Sequence, residues 1–179
     1  ISDSPDGFET INAINIDNQN FYIQDSPACP IGFAVDSYIT RDSLLSAPLD
    51  LRSKILMHSL VVDESQISQV SNYLPENVLD IESEKKVSLQ SRIDQTHIRK
   101  LDCFYKDNHG FSAQSNADKS KVYYFTIPYD SGWSATVDNE DINIISSEGM
   151  MAIIVPQGNH SISFHYSTPG LFLGMISSC

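Results

Sequence analysis

The sequence predicts a mainly β protein, an antiparallel β-sandwich or jelly-roll-like domain with one or two inserted helices. Three observations favour this fold class. Short β-branched and aromatic segments follow one another closely, turn residues separate them, and one stretch of helical periodicity interrupts the series early in the chain. With 179 residues, of which 41% are hydrophobic, the chain can bury one sizeable core, so we expect a single domain over residues 1–179.

The first part of the chain favours extended structure. We predict strands over residues 11–16, 20–23 and 31–37, because each is rich in strand-forming side chains. Turn-forming residues at 17–18 and 26–27 separate the three segments.

A helix is predicted over residues 46–61. Ser46 is a suitable N-cap, Pro48 is tolerated in a first helical turn, and Asp50 meets the positive end of the helix. Apolar residues then recur every three to four positions and indicate one buried stripe. These residues are Leu51, Ile55, Leu56 and Leu60.

The middle of the chain gives weaker signals. Residues 63–73 favour a second, weaker helical turn, which Pro75 ends. From Lys86 onward the pattern favours strand, first where Val87, Leu89 and Ile93 alternate with polar residues and then over 98–105. The small polar residues of 110–119 indicate a loop.

The last third of the chain predicts five short strands with turn signals between them. These strands are residues 121–127, 133–138, 142–145, 150–155 and 161–166. The acidic string 138–141 lacks the glycine and the closing glutamate of a calcium-binding loop. Because Asp and Asn tolerate positive φ, Asp138-Asn139 instead predicts a hairpin turn.

Charge and motif content exclude several classes of function. The chain has 11 Lys+Arg against 23 Asp+Glu, a net charge of −12, and such a surface repels polyanions. From Lys121 onward no other Lys or Arg occurs, so no basic stripe is available to bind nucleic acid. No nucleophile elbow, phosphate-binding glycine loop or metal-binding pair of helical histidines is present, and we predict no catalytic residue, metal or cofactor in this chain.

The remaining chemistry-bearing residues leave alternatives open. Cys29 and Cys103 either form a disulfide or are idle thiols, since sequence alone does not place their Cα atoms at bridging distance. His160 and His165 are five residues apart in a predicted strand, face opposite sides and therefore do not share a metal. A free-standing glycosidase would need two carboxylates about 5–9.5 Å apart in a cleft, a pairing that sequence does not identify.

Aromatic residues supply the candidate binding site. Trp133, the single tryptophan, is either a core side chain or an exposed platform for a sugar ring. If a ligand binds, the candidate residues are Trp133, Tyr129, Tyr124 and Asp130.

Four ordered motifs near the end of the chain carry a family resemblance. They are residues 125–133 (FTIPYDSGW), 137–139 (VDN), 155–160 (VPQGNH) and 166–174 (YSTPGLFLG). This order closely resembles the end of the bacterial YfhO-type membrane proteins, where a Pro-Tyr-x-x-Gly-Trp turn, a Val-Asp-Gly hairpin and a Pro-x-Gly-x-His turn precede a Tyr-x-x-Pro-Gly-x-x-x-Gly approach to a membrane helix. The segment 29–35 (CPIGFAV) looks like the family's Leu-Pro-x-Gly-Phe strand, and 47–60 matches the position of its helix.

Two departures from the family pattern are evident. Asn139 replaces the hairpin glycine, which Asn tolerates, and Cys29 stands where the family usually has an aliphatic residue. The resemblance is strong over 121–170 and weak over 62–120. It implies that residues 171–179 are the start of a membrane helix cut short.

The resemblance implies that the full-length protein is a membrane glycosyltransferase-like enzyme that decorates cell-surface polymers such as the lipoteichoic acid of Gram-positive bacteria. In enzymes of that kind the acidic catalytic residues lie near the first membrane helices, so we expect this chain to be a non-catalytic accessory domain on the extracellular face of the cell membrane. Its implied partners are its own membrane-embedded portion and cell-wall glycan or lipid-linked sugar. The alternative is a structural or protein-interaction β-sandwich with no glycan binding.

Overall fold

The computed structural model describes residues 10–16, 19–24, 29–101, 103–106 and 110–169. Its strands are Thr10–Ile16 (β1), Gln19–Gln24 (β2), Gly32–Ala34 (β3), Ser37–Thr40 (β4), Ser59–Val62 (β5), Cys103–Lys106 (β6), Gly110–Ala117 (β7), Lys121–Pro128 (β8), Trp133–Val137 (β9), Glu140–Ile142 (β10), Ile145–Ser147 (β11), Met150–Val155 (β12) and Gly158–Tyr166 (β13). Its helices are Arg41–Ser46 (α1), Leu49–Leu56 (α2), Ile67–Val70 (α3), Ile81–Lys86 (α4) and Leu89–Ile98 (α5), with a 3-10 turn at Glu64–Gln66. The predicted membrane-helix start at 171–179 lies outside the described residues.

Two antiparallel sheets pack face to face, as the fold-class prediction requires. One has the strand order β10-β9-β13-β7-β6 and the other the order β11-β12-β8-β3. Between them, Phe125, Met151 and Ile153 of the second sheet share a buried cluster with Ile162 and Phe164 of the first. Alternation along the strands places these side chains on the inner faces, so the mainly β, antiparallel sandwich is confirmed.

A small α/β unit covers the outer face of the second sheet. Its strands β4 and β5 are parallel, and one face of this pair packs on Val122 through Leu60 and Val62. The opposite face carries Ile39 and Val61, which pack against the helices α1 and α2. Because all four residues of β5 are buried, this segment has no polar face to distinguish a strand from a helix.

The predicted helix over 46–61 is therefore correct only in its first part. The observed helix α2 begins at Leu49 and ends at Leu56, and the residues that follow form β5. Pro48, which donates no side-chain cap, occupies the N-cap position, while Ser46 is the last residue of α1. The weaker helical turn predicted over 63–73 is confirmed by the 3-10 turn and α3.

Three predictions for the middle of the chain are wrong. Residues 89–98 form the helix α5 instead of an alternating strand, because Ser88 caps the backbone N–H of Ser91. The predicted strand over 98–105 is reduced to β6, which begins at Cys103. Residues 110–117 form a full strand instead of a loop, since β7 pairs with both β13 and β6.

The turns of the last third agree with prediction. Asp138 and Asn139 have φ values of 52° and 69°, and they join β9 to β10 as a two-residue hairpin turn. The strand predicted over 142–145 is not continuous, because Ile142 is the last residue of β10 and Ile145 is the first residue of β11. The other four predicted strands are present as β8, β9, β12 and β13.

Candidate functional site

The end of the sandwich at which β9 begins carries a cluster of aromatic rings. Trp133 and Tyr166 are direct partners across β9 and β13, and their ring centroids lie 5.1 Å apart. On its other side Trp133 contacts Phe111 and Phe164 edge-on, at 5.6 Å and 6.4 Å. Trp133 is therefore half-buried at the rim of the core. Its exposure lies between that of a core side chain and that of an exposed platform for a sugar ring.

The turn before Trp133 is built around Gly132. A Cβ at this position would lie 2.3 Å from the backbone oxygen of Ser167, so only glycine fits. The Ser167 N–H donates to the Gly132 carbonyl, at 2.9 Å, and the Gly132 N–H donates to the Asp130 carboxylate, at 2.8 Å. These bonds join the turn to the end of β13 and set the position of Trp133.

Tyr129 and Asp130 lie in the same turn. Tyr129 is 40% exposed and Tyr166, the ring partner of Trp133, is 37% exposed, so both tyrosines are accessible to solvent at this end. Loss of hydration, followed by the charge of Asp130 and a hydrogen bond to it, raises the pKa of Tyr166. We refer to Tyr129, Asp130, Trp133 and Tyr166 as the aromatic end.

Tyr124 does not belong to the aromatic end. Its ring packs on Phe33, at 5.6 Å between centroids, and joins the cluster on the outer face of the second sheet. Trp133 packs on the inner face, with the residues between the sheets. The structure thus brings three of the four predicted residues together and separates the fourth. Ligand binding by Trp133, Tyr129, Tyr124 and Asp130 stays a prediction.

A groove of about 700 Å³ with a mixed polar and apolar lining opens at the opposite end of the sandwich. Its described lining comes from α3 and the residues after it, from the β7–β8 turn, from the β9–β10 hairpin and from the starts and ends of neighbouring strands. The lining residues are Gln69, Tyr73, Ser120, Val137, Asp138, Glu140, Asp141, Ile142, Asn143, Ile145, Ile154, Pro156 and His160. None of them is Lys or Arg, and they combine amides and carboxylates with one tyrosine ring that is 42% exposed. We refer to this set as the distal groove.

His160 lies at the wall of the distal groove, in contact with Asp138. Its Nδ1 is 2.6 Å from the Asp138 carboxylate and its Nε2 is 3.0 Å from the Gln157 carbonyl oxygen. Both partners are acceptors, so these contacts favour the imidazolium, which donates from both ring nitrogens. The same bonds raise the pKa of His160 and lower the pKa of Asp138.

The contacts of His160 limit its use as a general base. A ring with both nitrogens occupied has no free position from which to accept a substrate proton. Asp138 also accepts from the Ser161 backbone N–H, at 2.8 Å, which holds the hairpin to β13. His165 points to the other face of β13, so the prediction that the two histidines face opposite sides is confirmed.

A second cluster of titratable groups is buried in the α/β unit. His58 lies between Ser59 and Glu84, with Nδ1 3.2 Å from the Ser59 hydroxyl and Nε2 3.1 Å from the Glu84 carboxylate. Arg92 donates to both Glu84 oxygens, at 2.9 Å each. Burial, followed by the Arg92 charge, lowers the pKa of His58 despite the opposing effect of Glu84.

The order Ser59-His58-Glu84 resembles a hydrolase triad, but its surroundings are those of a structural network. Ser59 is 1% exposed, and its hydroxyl also contacts the Ser37 hydroxyl and the Asn77 amide, each at 2.8 Å. A nucleophile must reach its substrate, and this hydroxyl is enclosed by protein groups. The network instead joins β4 and β5 to the helices α4 and α5.

Cysteine and metal chemistry is limited in the part of the chain that the structure describes. Cys29 is a free thiol, so the disulfide alternative is not realised, and burial raises its pKa although a hydrogen bond to Thr96 opposes the effect. Within the described ranges, no group of three or more His, Cys, Asp or Glu residues is arranged to hold a metal ion. No helix in these ranges is both long enough and apolar enough to cross a bilayer.

Comparison with known protein families decides the relationship suggested by the four motifs. The family model described as bacterial membrane protein YfhO matches residues 72–178. The chain belongs to the YfhO family. The match begins at the end of α3 and includes every strand from β6 to β13, and thus most of the sandwich. Curated proteins and solved structures gave no significant match.

The YfhO family is a family of bacterial membrane proteins. The matched region contains the aromatic end and most of the distal groove, including Tyr73, Asn143 and His160. Sequence reasoning did not find the groove as a site, because its residues come from six separate segments and share no motif. Among the groove residues, the sequence marked only the Asp138-Asn139 turn and the turn before His160. Both motifs predict turns and not a binding site.

Proposed function

We propose that this chain is a non-catalytic extracytoplasmic accessory domain of a YfhO-family membrane protein, and that it contacts a neutral glycan or lipid-linked sugar through the distal groove. The full-length protein would then act as a glycosyltransferase that decorates a cell-surface polymer such as lipoteichoic acid. The observation that carries the proposal is the groove itself, an open concavity of about 700 Å³ in which amides, carboxylates and a tyrosine converge.

The lining chemistry favours a neutral sugar. Hydroxyl groups of a sugar donate to carboxylates such as Glu140 and Asp141, and they both donate to and accept from the amides of Gln69 and Asn143. The exposed ring of Tyr73 offers an apolar face against which a sugar ring can pack.

Charge argues against a polyphosphate ligand at the same place. The described lining contains no Lys or Arg, whereas phosphate recognition relies on such groups. Its only cation is the His160 imidazolium, which Asp138 already neutralises. With a net charge of −12 on the chain, a glycerol-phosphate polymer would be repelled from the groove.

The state of Asp138 argues against this residue as the acid of a glycosidase. A glycosidase protonates its leaving group with a carboxylic acid whose pKa is raised. In this groove the pKa of Asp138 is lowered, because His160 and the Ser161 backbone N–H stabilise the charged form. Asp138 is thus suited to holding the hairpin and accepting sugar hydroxyls.

A matched pair of tyrosine variants tests the proposal. Tyr73→Ser changes the distal groove and Tyr129→Ser changes the aromatic end, and the two rings have nearly equal exposure, 42% and 40%. Calorimetric titration with neutral oligosaccharides should give saturable binding that Tyr73→Ser weakens about tenfold or more, as expected for one stacking ring, while Tyr129→Ser leaves it unchanged. Binding of glycerol-phosphate oligomers in preference to neutral sugars would contradict the proposal, as would equal effects of the two variants.

The alternative is a protein-interaction sandwich with no glycan binding. Exposed apolar side chains favour it, because Leu49, Val78 and Ile98 are 78%, 86% and 83% exposed. If no oligosaccharide binds at millimolar concentration and Ile98→Asp disrupts co-purification with the membrane-embedded portion, this alternative replaces the glycan proposal.

A further inference from the structure

The aromatic end has the composition of a surface that contacts a membrane interface. It presents two tyrosines, each more than one third exposed, beside the half-buried Trp133. Tyrosine and tryptophan combine an apolar ring with a polar tip, and they are enriched where a protein meets the headgroup layer of a bilayer. The rings are held in place, since Trp133 packs on Tyr166 at 5.1 Å and on Phe111 at 5.6 Å.

The last described strand ends within the aromatic end. Tyr166 is the last residue of β13, and Ser167 is hydrogen bonded to Gly132. In the sequence, the apolar residues 171–175, Leu-Phe-Leu-Gly-Met, begin five residues after Tyr166. Because the chain belongs to a membrane protein family, a bilayer is a surface that this end can meet.

The charges at this end are mixed. The carboxylate of Asp130 accepts from the Gly132 N–H and from the Tyr166 hydroxyl, so its charge is partly satisfied by the protein. Residues 122–169 contain no Lys or Arg, but Lys106 at the end of β6 pairs with Phe111, which contacts Trp133. Because the chain has a net charge of −12, we expect the rings, more than attraction to anionic lipid, to provide the affinity.

We propose that the aromatic end, formed by Tyr129, Asp130, Trp133 and Tyr166, docks into the headgroup region of a phospholipid bilayer. This orientation directs the distal groove away from the membrane. His160 and Tyr166 are six residues apart in β13, a separation of about 20 Å along the strand. The docked end and the groove are different surfaces, so either one can be correct without the other.

Trp133 makes the proposal directly measurable, because it is the single tryptophan of the chain. The probe is a vesicle of phosphatidylcholine whose acyl chains carry bromine either near the headgroup or near the bilayer centre. We expect the Trp133 emission to shift to shorter wavelength and to be quenched more strongly by the shallow bromines. Replacing a third of the lipid by phosphatidylglycerol should weaken the effect, because the chain has a net charge of −12.

The variants Tyr129→Ser and Tyr73→Ser are used again. Here Tyr129→Ser is the test and Tyr73→Ser is the control. Tyr129→Ser should weaken vesicle binding on the order of fivefold. This is the scale expected when one tyrosine ring is no longer there to transfer from water to the headgroup region. Tyr73→Ser, in the distal groove, should bind vesicles as the unchanged protein does. Circular dichroism of both variants verifies that the sandwich is intact.

Three results would overturn the proposal. One is vesicle binding with no change in Trp133 emission, since the chain would then be held by residues other than the aromatic end. Another is no binding to phosphatidylcholine vesicles at all. The third is a shift of Trp133 emission by neutral oligosaccharides and not by vesicles, which would assign the aromatic end to a glycan.

Discussion

Glu84→Gln is expected to destabilise the protein strongly, although the substitution keeps the shape of the side chain. Glu84 accepts two hydrogen bonds from Arg92 and one from His58, and its side chain is only 9% exposed. A glutamine has an NH2 group in place of one carboxylate oxygen. Because Arg92 and His58 are themselves donors, at least one buried contact then sets two donors against each other. Arg92 would retain its charge but lose the carboxylate, and its neutral side-chain acceptors would be the remaining amide oxygen at position 84 and the Gln95 oxygen, at 3.2 Å.

The magnitude follows from the burial of the pair. Removing one partner of a buried ion pair costs about 3–5 kcal/mol, because the other charge is left without compensation. The Arg92 side chain is 14% exposed and can reorient slightly toward solvent, which favours the lower end, about 3 kcal/mol. For a chain of this size that loss lowers the melting temperature by about 6–12 °C.

Glu82→Gln is the matched control on the same helix. Glu82 pairs with Lys85 at 2.8 Å, but the two side chains are 75% and 53% exposed. A surface pair of this kind contributes little, because water and salt screen the two charges. Calorimetric melts of both variants at neutral pH therefore separate the buried pair from a surface pair. If Glu84→Gln melted within about 2 °C of Glu82→Gln, the buried network would not hold the α/β unit together and the reasoning would be refuted.

Substitutions at three further positions test the turns and the His160 pair. Gly132→Ala should lower the free energy of unfolding by about 1–3 kcal/mol in denaturant melts, because its Cβ would lie 2.3 Å from the Ser167 oxygen, and an unchanged midpoint would rule out this close approach. Asn139→Gly should be neutral or stabilising whereas Asn139→Ala should cost about 1 kcal/mol, since φ at this position is 69°, and equal effects would argue against a left-handed turn. The Asp138 contact raises the pKa of His160, so the pair contributes fully below the unfolded pKa of about 6.5 and is lost as pH rises through the higher folded value. Thermal melts should therefore show that His160→Gln is more destabilising at about pH 6 than at about pH 9, and the reverse order would exclude the ion pair.

Local turn chemistry explains why the last third of the fold was predictable. The Asp138-Asn139 hairpin depends on two residues that accept positive φ, and the turn before Trp133 depends on a glycine that no other residue can replace. Such requirements act over a few residues, so the sequence displays them directly. The alternation of β9 and β13 adds the period of a strand with one face in the core.

The errors in the middle of the chain have physical causes of the same kind. Leu89 and Ile93 fit the spacing of a helix as well as an irregular alternation, and the decisive feature is the Ser88 cap. In β7 the buried positions include small residues such as Ala113, Ser115 and Ala117, which give little hydrophobic signal. Their role depends on the tight packing of β7 between two neighbouring strands, which is a property of the tertiary structure.

The functional surfaces were predicted only in part. Tyr129, Asp130 and Trp133 are close in sequence and lie close in space, whereas Tyr124 belongs to the other face of its sheet. Strand alternation about Pro128 is interrupted by a register shift between β8 and β12, so face assignments do not carry across it. The distal groove depends on the packing of six segments, and no short motif encodes it.

Chemical-shift mapping of the isotope-labelled chain with neutral oligosaccharides tests glycan contact at the distal groove most directly. We expect saturable shifts confined to amides at the distal groove, such as those of Gln69, Tyr73 and Asn143, with no change at Gly132 in the aromatic end. Glycerol-phosphate oligomers, as the charged comparison, should leave the spectrum unchanged at the same concentration. Flat spectra with millimolar neutral sugar, or shifts gathered at the aromatic end, would contradict a glycan-contacting groove.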